Sequence, residues 1–164
     1  MTDPANLTVL VTGATSGFGA ATARRFAGAG ARVILCGRRR DRIEALVAEL
    51  GDRTLALPFD VSDRAESEAA LGSIPAPFDA IDVLVNNAGL ALGLGPAWEA
   101  DLDDWDTMIR TNCQGLVTAT RCVLPGMVAR GRGHVVNISS VAANWPYPGG
   151  NVYGASKAFV TQFS

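Results

Sequence analysis

The chain has 164 residues, 48% of them hydrophobic and 18% charged, with a formal net charge of -2. That length supports one core and a single domain over 1–164, and the composition is that of a soluble globular protein, not a disordered one. The clustered cations that nucleic acid requires are missing, no apolar run reaches membrane-spanning length, and "MTDPANLTVLV" lacks the basic start of a signal peptide. Neither a nucleic acid nor a membrane is therefore an expected partner, and the cytoplasm is the expected location.

Short β-branched runs alternate with helical patterns along the chain. "LTVLVTG" (7–13) predicts a strand and 17–29 a helix. "ARVILCG" (31–37) predicts a second strand, and "DRIEALVAEL" (41–50) has helical apolar spacing. A third strand is expected over 53–60, a weaker helix over 64–73 and a fourth strand over 81–87. A long helix over 103–130 should be bent or broken at Pro125. "HVVNIS" (134–139) predicts a fifth strand, and a last helix should begin near Tyr153. The strand runs are apolar throughout, which suits a parallel sheet covered on both faces. Strand–helix–strand repetition then implies an α/β doubly wound parallel sheet of Rossmann type.

Cys36, Cys113 and Cys122 show no paired spacing, so neither a disulfide framework nor a zinc site is indicated; all three are expected to be buried and reduced. His134 is the only histidine, which leaves no metal cage and no histidine-based triad to build, and it should simply flank a strand.

"VTGATSGFGAA" (11–21) places Gly13, Gly17 and Gly19 in a strand-to-helix turn. Glycines there let backbone amides approach a pyrophosphate, which the positive helix end stabilises. The spacing is TGxxxGxG, and a tight turn before a helix would use the same residues. The second strand should end beside the adenosine ribose, where NAD-preferring sites place an acid. This chain has "CGRRRDR" instead, so Arg38 first and Arg39 second are expected to grip a 2′-phosphate, which favours NADP(H). The competing reading is a solvated charge cluster at a helix start.

"NNAG" (86–89), Asn112, Ser140 and Tyr153-x-x-x-Lys157 follow in order. With the glycine turn, this set resembles the short-chain dehydrogenase/reductase family over nearly the whole chain. "NNAGLALG" and "WPYPGGNVYGASKAF" are most similar to its NADP-dependent dehydrogenases of 3-hydroxy acids and of serine or allo-threonine. The resemblance implies that Gly13, Thr15, Ser16, Gly17, Phe18 and Gly19 line the cofactor phosphates. It implies Asp60 and Val61 at the adenine, Asn87 near the cofactor ribose, and Asn112, Ser140, Tyr153 and Lys157 as the catalytic set. It also implies a homo-oligomer, a dimer or tetramer, built through the long helix and the helix at Tyr153.

The spacing has a chemical reason. Hydride exchange at nicotinamide needs a partner that moves a proton at oxygen. A free phenol, with a pKa of about 10, is too weak a base for that near neutrality. Helical i, i+4 spacing puts Lys157 on the face of Tyr153. At about 4 Å and an effective dielectric near 20, a cation favours the phenolate by about 4 kcal/mol before desolvation is subtracted. Ser140 would hydrogen-bond a small-molecule substrate's oxygen, and Asn112 would anchor a water on a proton path. Trp145 and Tyr147 could line the substrate pocket.

Family members normally continue past this point, so the resemblance implies that the C-terminal part of the fold is absent here. The 134–139 strand would then be an open apolar edge. Two other functions stay open: a non-catalytic dinucleotide-binding or regulatory module, and a ketoreductase for acyl or other carbonyl substrates. A sugar-nucleotide epimerase or dehydratase would share the tyrosine and lysine but usually has the glycine spacing TGxxGxxG.

Overall fold

The computed structural model of the chain describes residues 3–93 and 95–164; the first two residues of the N-terminal segment read above lie outside that range. Five strands form one parallel sheet: β1 Thr8–Thr12, β2 Arg32–Gly37, β3 Thr54–Pro58, β4 Val83–Asn86 and β5 His134–Asn137. Their spatial order is β3-β2-β1-β4-β5. The helices are α1 Gly17–Gly28, α2 Arg40–Leu50, α3 Arg64–Gly72, α4 Leu102–Met108, α5 Leu116–Ala129 and α6 Asn151–Phe163.

Alternation along β1 explains the layers. Val9 and Val11 point into one core with Val33 and Leu35, against Ala20 and Ala23 of α1 and Ile43 and Leu46 of α2. Leu10 points the other way, joining Ile34 and Leu84 against Ala119, Val123 and Met127 of α5. Each such side chain, taken from water, contributes about 1.5–3 kcal/mol, and both sheet faces need it because helices cover both. The apolar strand runs are therefore the signature of a doubly wound fold.

The N-terminal ends of the strands are tied by Asp82, which immediately precedes β4. Its backbone bridges to Thr8 and His134, and its Oδ2 accepts the Thr8 amide at 3.0 Å. Arg132 Nε lies 3.1 Å from Oδ1, close enough to neutralise the buried carboxylate, although the two groups are not aligned as a hydrogen bond. His134 does flank a strand, as the exposed first residue of β5.

Three expectations are corrected. Pro125 lies inside α5 without breaking it. The break in regularity comes earlier, where Ile109–Gly115 winds as a π-helix between α4 and α5. The final helix begins at Asn151, two residues before Tyr153, with Asn151 in the left-handed region at φ 36°. Of the cysteines only Cys36 is fully buried; Cys113 and Cys122 are half-buried.

Burial raises all three thiols, Cys36 by far the most, with the Asp60 carboxylate as its second cause. Because the thiolate is the reactive form, alkylation of the native protein at mildly alkaline pH should modify Cys113 and Cys122 well before Cys36. Peptide mapping over time checks this, and early labelling of Cys36 would contradict the burial described.

Candidate active site

The order of the sheet reverses between β1 and β4, and a crevice opens there at the C-terminal strand ends. Gly13 follows β1 at φ +65°, and a Cβ on it would sit 2.9 Å from Cα of Ala88. A Cβ on Gly19 would run into the carbonyl oxygen of Gly13 and approach the Asn87 amide nitrogen to 2.5 Å. These two glycines let the loop after β1 and the turn after β4 touch. Asn87 holds that contact by donating Nδ2 to Thr12 O at 2.9 Å and Gly13 O at 3.2 Å. The Thr12 hydroxyl completes it by accepting the amides of Asn87 and Ala88, both at 3.0 Å.

Gly17 opens α1 at φ +53° with no atom within 4 Å of where its Cβ would be. Ser16 is the N-cap, yet its side chain does not cap the helix. The first amides of α1 are thus left for another acceptor, at the positive end of the helix. Phe18 is 81% exposed beside them. Open space, spare amides and a helix N-terminus together suit a pyrophosphate, so the residues present fit a dinucleotide.

The two arginines divide. Arg39 Nη2 donates to Thr15 Oγ1 at 2.6 Å and Ser16 Oγ at 3.1 Å, bringing its guanidinium onto the glycine loop. Arg38 Nη1 lies 3.7 Å from Asp60 Oδ2. The other oxygen of Asp60 accepts both the amide and the hydroxyl of Ser62, at 2.9 and 2.8 Å. Val61 is buried against Cys36 and Phe59, and Gly115 of the π turn packs on its backbone.

The other end of the crevice is built on α6. Tyr153, Ser156, Lys157 and Val160 fall on one stripe, and the last three are buried. Lys157 is the only lysine in the sequence. Its Nζ donates to Ile138 O at 2.9 Å, and burial holds its pKa below the usual lysine range. Tyr153 is half-buried, and its bond with Ser156 runs through the backbone carbonyl, leaving the phenol for a ligand. Ser140 caps a 3-10 turn over Val141–Ala143 by accepting the Ala142 amide at 3.2 Å. Its cap role uses a lone pair and leaves its hydroxyl proton to donate. Asn112, 1% exposed on the π turn, exchanges two hydrogen bonds with the backbone of Leu90, each 2.9 Å.

The "NNAG" turn links both ends. Asn87 and Ala88 touch the glycine loop, while a Cβ on Gly89 would lie 3.2 Å from Lys157 Nζ and 3.3 Å from Asn112 Oδ1. Trp145 and Tyr147 instead border a hollow of about 430 Å³ against Gly154, Ala155 and Ala158. Its lining includes none of Ser140, Tyr153 and Lys157. Thr12, Gly89 and Ser156 were not singled out in the sequence; a threonine ending an apolar strand just before Gly13 was the one available signal. Among the described residues no group of three His, Cys, Asp or Glu could hold a metal, and no helix is long and apolar enough to cross a membrane.

A parallel sheet with a glycine turn at its switch point and a Tyr-Lys helix beside it defines a nucleotide-dependent dehydrogenase fold. The chain belongs to the short-chain dehydrogenase family, whose model matches residues 7–164. It is 60% identical over 156 residues, 95% of its length, to the NADP-dependent 3-hydroxy acid dehydrogenase YdfG of Salmonella typhi. It is 55% identical over 157 residues, 96% of its length, to the serine 3-dehydrogenase of Agrobacterium fabrum. The chain spans 63% of the length of each of these relatives. Among solved structures it is similar to the closed form of serine dehydrogenase complexed with NADP+, with a TM-score of 0.93 and 58% identity. That match covers 95% of this chain and 63% of the other.

Proposed function

We propose that this chain serves an NADP-dependent oxidoreductase that exchanges hydride with a small hydroxy acid, a 3-hydroxy acid or a 3-hydroxy amino acid such as serine. The observation that carries the proposal is the turn at residues 86–89, which touches both the glycine loop and the buried Lys157 ammonium. One ligand can therefore span both. The names of the relatives, dehydrogenases of 3-hydroxy acids and of serine, support the substrate class.

When bound, the dinucleotide supplies the hydride donor or acceptor at its nicotinamide. Gly13, Thr15, Ser16, Gly17, Phe18 and Gly19 would hold its phosphates, Asp60 and Val61 its adenine, and Asn87 its ribose region. Tyr153 moves the proton at the substrate oxygen. Ser140 donates to that oxygen, stabilising the charge that develops on it. Lys157 places positive charge one turn from the phenol and can hold the nicotinamide ribose hydroxyls. Asn112 completes the set as the anchor beside Lys157.

Mixing the protein at its natural length with NADP+ and a panel of 3-hydroxy acids and serine should build up dihydronicotinamide absorbance. Cofactor binding without turnover of any hydroxy acid would favour a non-catalytic module instead.

Arg38 and Arg39 carry the cofactor preference in this proposal. A charge-assisted bond contributes about 1.5–3 kcal/mol, so Arg38→Asp should cut the preference for NADP over NAD by about 10- to 100-fold. Arg39→Ala should act in the same direction. Comparing dissociation constants for both cofactors tests this, and an unchanged ratio in both variants would remove the assignment. The same proposal includes a cytoplasmic location and assembly into a homo-oligomer. Exposed, stacked Phe159 and Phe163 on α6, 6.0 Å between centroids, support the assembly.

A further inference from the structure

Ser156 is 3% exposed, and its hydroxyl has one proton. That proton goes to the carbonyl oxygen of Tyr153 at 2.8 Å. Toward Asn112 Nδ2, 3.0 Å away, it can offer only a lone pair. The second Nδ2 proton of Asn112 goes to Leu90 O, and Oδ1 accepts the Leu90 amide. Turned over, the amide would face donor with donor at Leu90 N and acceptor with acceptor at Leu90 O. It would also leave Ser156 without a donor, in a place too buried for water to repair.

The orientation matters because of what lies alongside. Asn112 Oδ1 and Lys157 Nζ both close on Gly89, within 3.3 Å of the same point where a Cβ would stand. The negative end of the amide dipole is therefore presented where the ammonium sits. The reversed amide would present its NH2 group there.

Resting on the reading above, we propose that Ser156 is a positioning residue for proton transfer: its hydroxyl fixes the orientation of the Asn112 amide beside Lys157 and ties the π turn to the backbone of Tyr153. A helical serine bonding back to its own i−3 carbonyl is common, and a purely structural role would affect stability alone. The titratable groups around Lys157 are Cys113 on the π turn and Tyr153 on its own helix, and neither is altered by changes at position 156.

The experiment compares Ser156→Thr, Ser156→Val and Ser156→Ala. Thr and Val share a shape and differ in the hydroxyl, while Ala removes it with the least crowding. Leaving a buried donor unpaired costs about 1–3 kcal/mol, so kcat should fall about tenfold or more in Val and Ala. Thr should stay near the parent, and NADP affinity should change little in any of them. A second readout needs no turnover. With lysine labelled at the ε-nitrogen, the Lys157 signal, assigned by its loss in Lys157→Arg, should titrate at lower pH in Val and Ala than in Thr. Loss of the facing oxygen disfavours the ammonium. Equal kcat, equal pH profile and equal Lys157 titration in the Thr variant and whichever of Val or Ala folds would overturn the proposal. Turnover by the unsubstituted protein tests the functional reading separately, and the titration comparison speaks on Ser156 even if no hydroxy acid is turned over.

Discussion

Tyr153→Phe is expected to bind NADP as the parent does and to lose turnover. The change removes one oxygen from a half-buried side chain whose only bond to Ser156 is made by the backbone, so α6 keeps its packing. Lys157 stays in place, because its nitrogen is held by Ile138 O and not by the phenol. What disappears is the group that gives or takes the substrate proton. General acid–base catalysis is worth about 10²- to 10⁴-fold, so kcat should drop by at least that, about 3–5 kcal/mol in the barrier. Steady-state kinetics with a hydroxy acid, beside a cofactor titration of the same preparation, make the measurement. Retained turnover would refute the proton-transfer role, and joint loss of binding and turnover would point to a folding defect.

Gly19→Ala should have the second large effect, at the opposite end of the crevice. The added methyl has nowhere to go: it meets the Gly13 carbonyl and the Asn87 amide, which together join the two sides of the switch point. Neither is the loose end of a surface side chain. Overpacking of this kind costs about 1–3 kcal/mol, so the melting midpoint should fall, and cofactor affinity should fall with it as the loop after β1 is pushed from β4. Gly28→Ala is the matched control. It ends α1 with no atom within 4 Å of the added Cβ and an ordinary backbone, and should stabilise by about 0.5–1 kcal/mol. Unchanged NADP affinity in Gly19→Ala would mean that the close contact at Gly19 does not set the phosphate site.

The residues legible in the sequence were those whose type and spacing both carry information. Gly13, Gly17 and Gly19 stood out because only glycine tolerates the close approach and positive φ found there, and Tyr153 and Lys157 because one helical turn separates them. The strands were legible because burial on both faces leaves no polar alternation to confuse them. Ser156 was not, since a helical serine is ordinary until Asn112 is folded against it from 44 positions away. Thr12 read as one more strand residue, although its hydroxyl fixes two amides after β4. The π turn was illegible for a related reason. Helical periodicity in 103–130 says that the segment winds but is too coarse to show one wider turn, and Pro125 drew the attention that Ile109–Gly115 needed. The start of α6 was misplaced because Asn151 takes a left-handed conformation that its residue type permits but does not announce.

The π turn also carries a hereditary constraint. Its hydrogen-bonded rings hold one more residue than those of an α-helix. Deleting any one residue from 109–115 would therefore restore ordinary winding and spin everything downstream by about 100°. Ala119, Val123 and Met127 would swing out of the sheet's core, and Thr120 would part from the amide of Asn86, which it now meets at 2.9 Å. A lost codon there is a phase error, not a shortened spacer. The stretch is thus free to exchange letters at its exposed positions, such as Arg110 and Gln114, while its length is not negotiable.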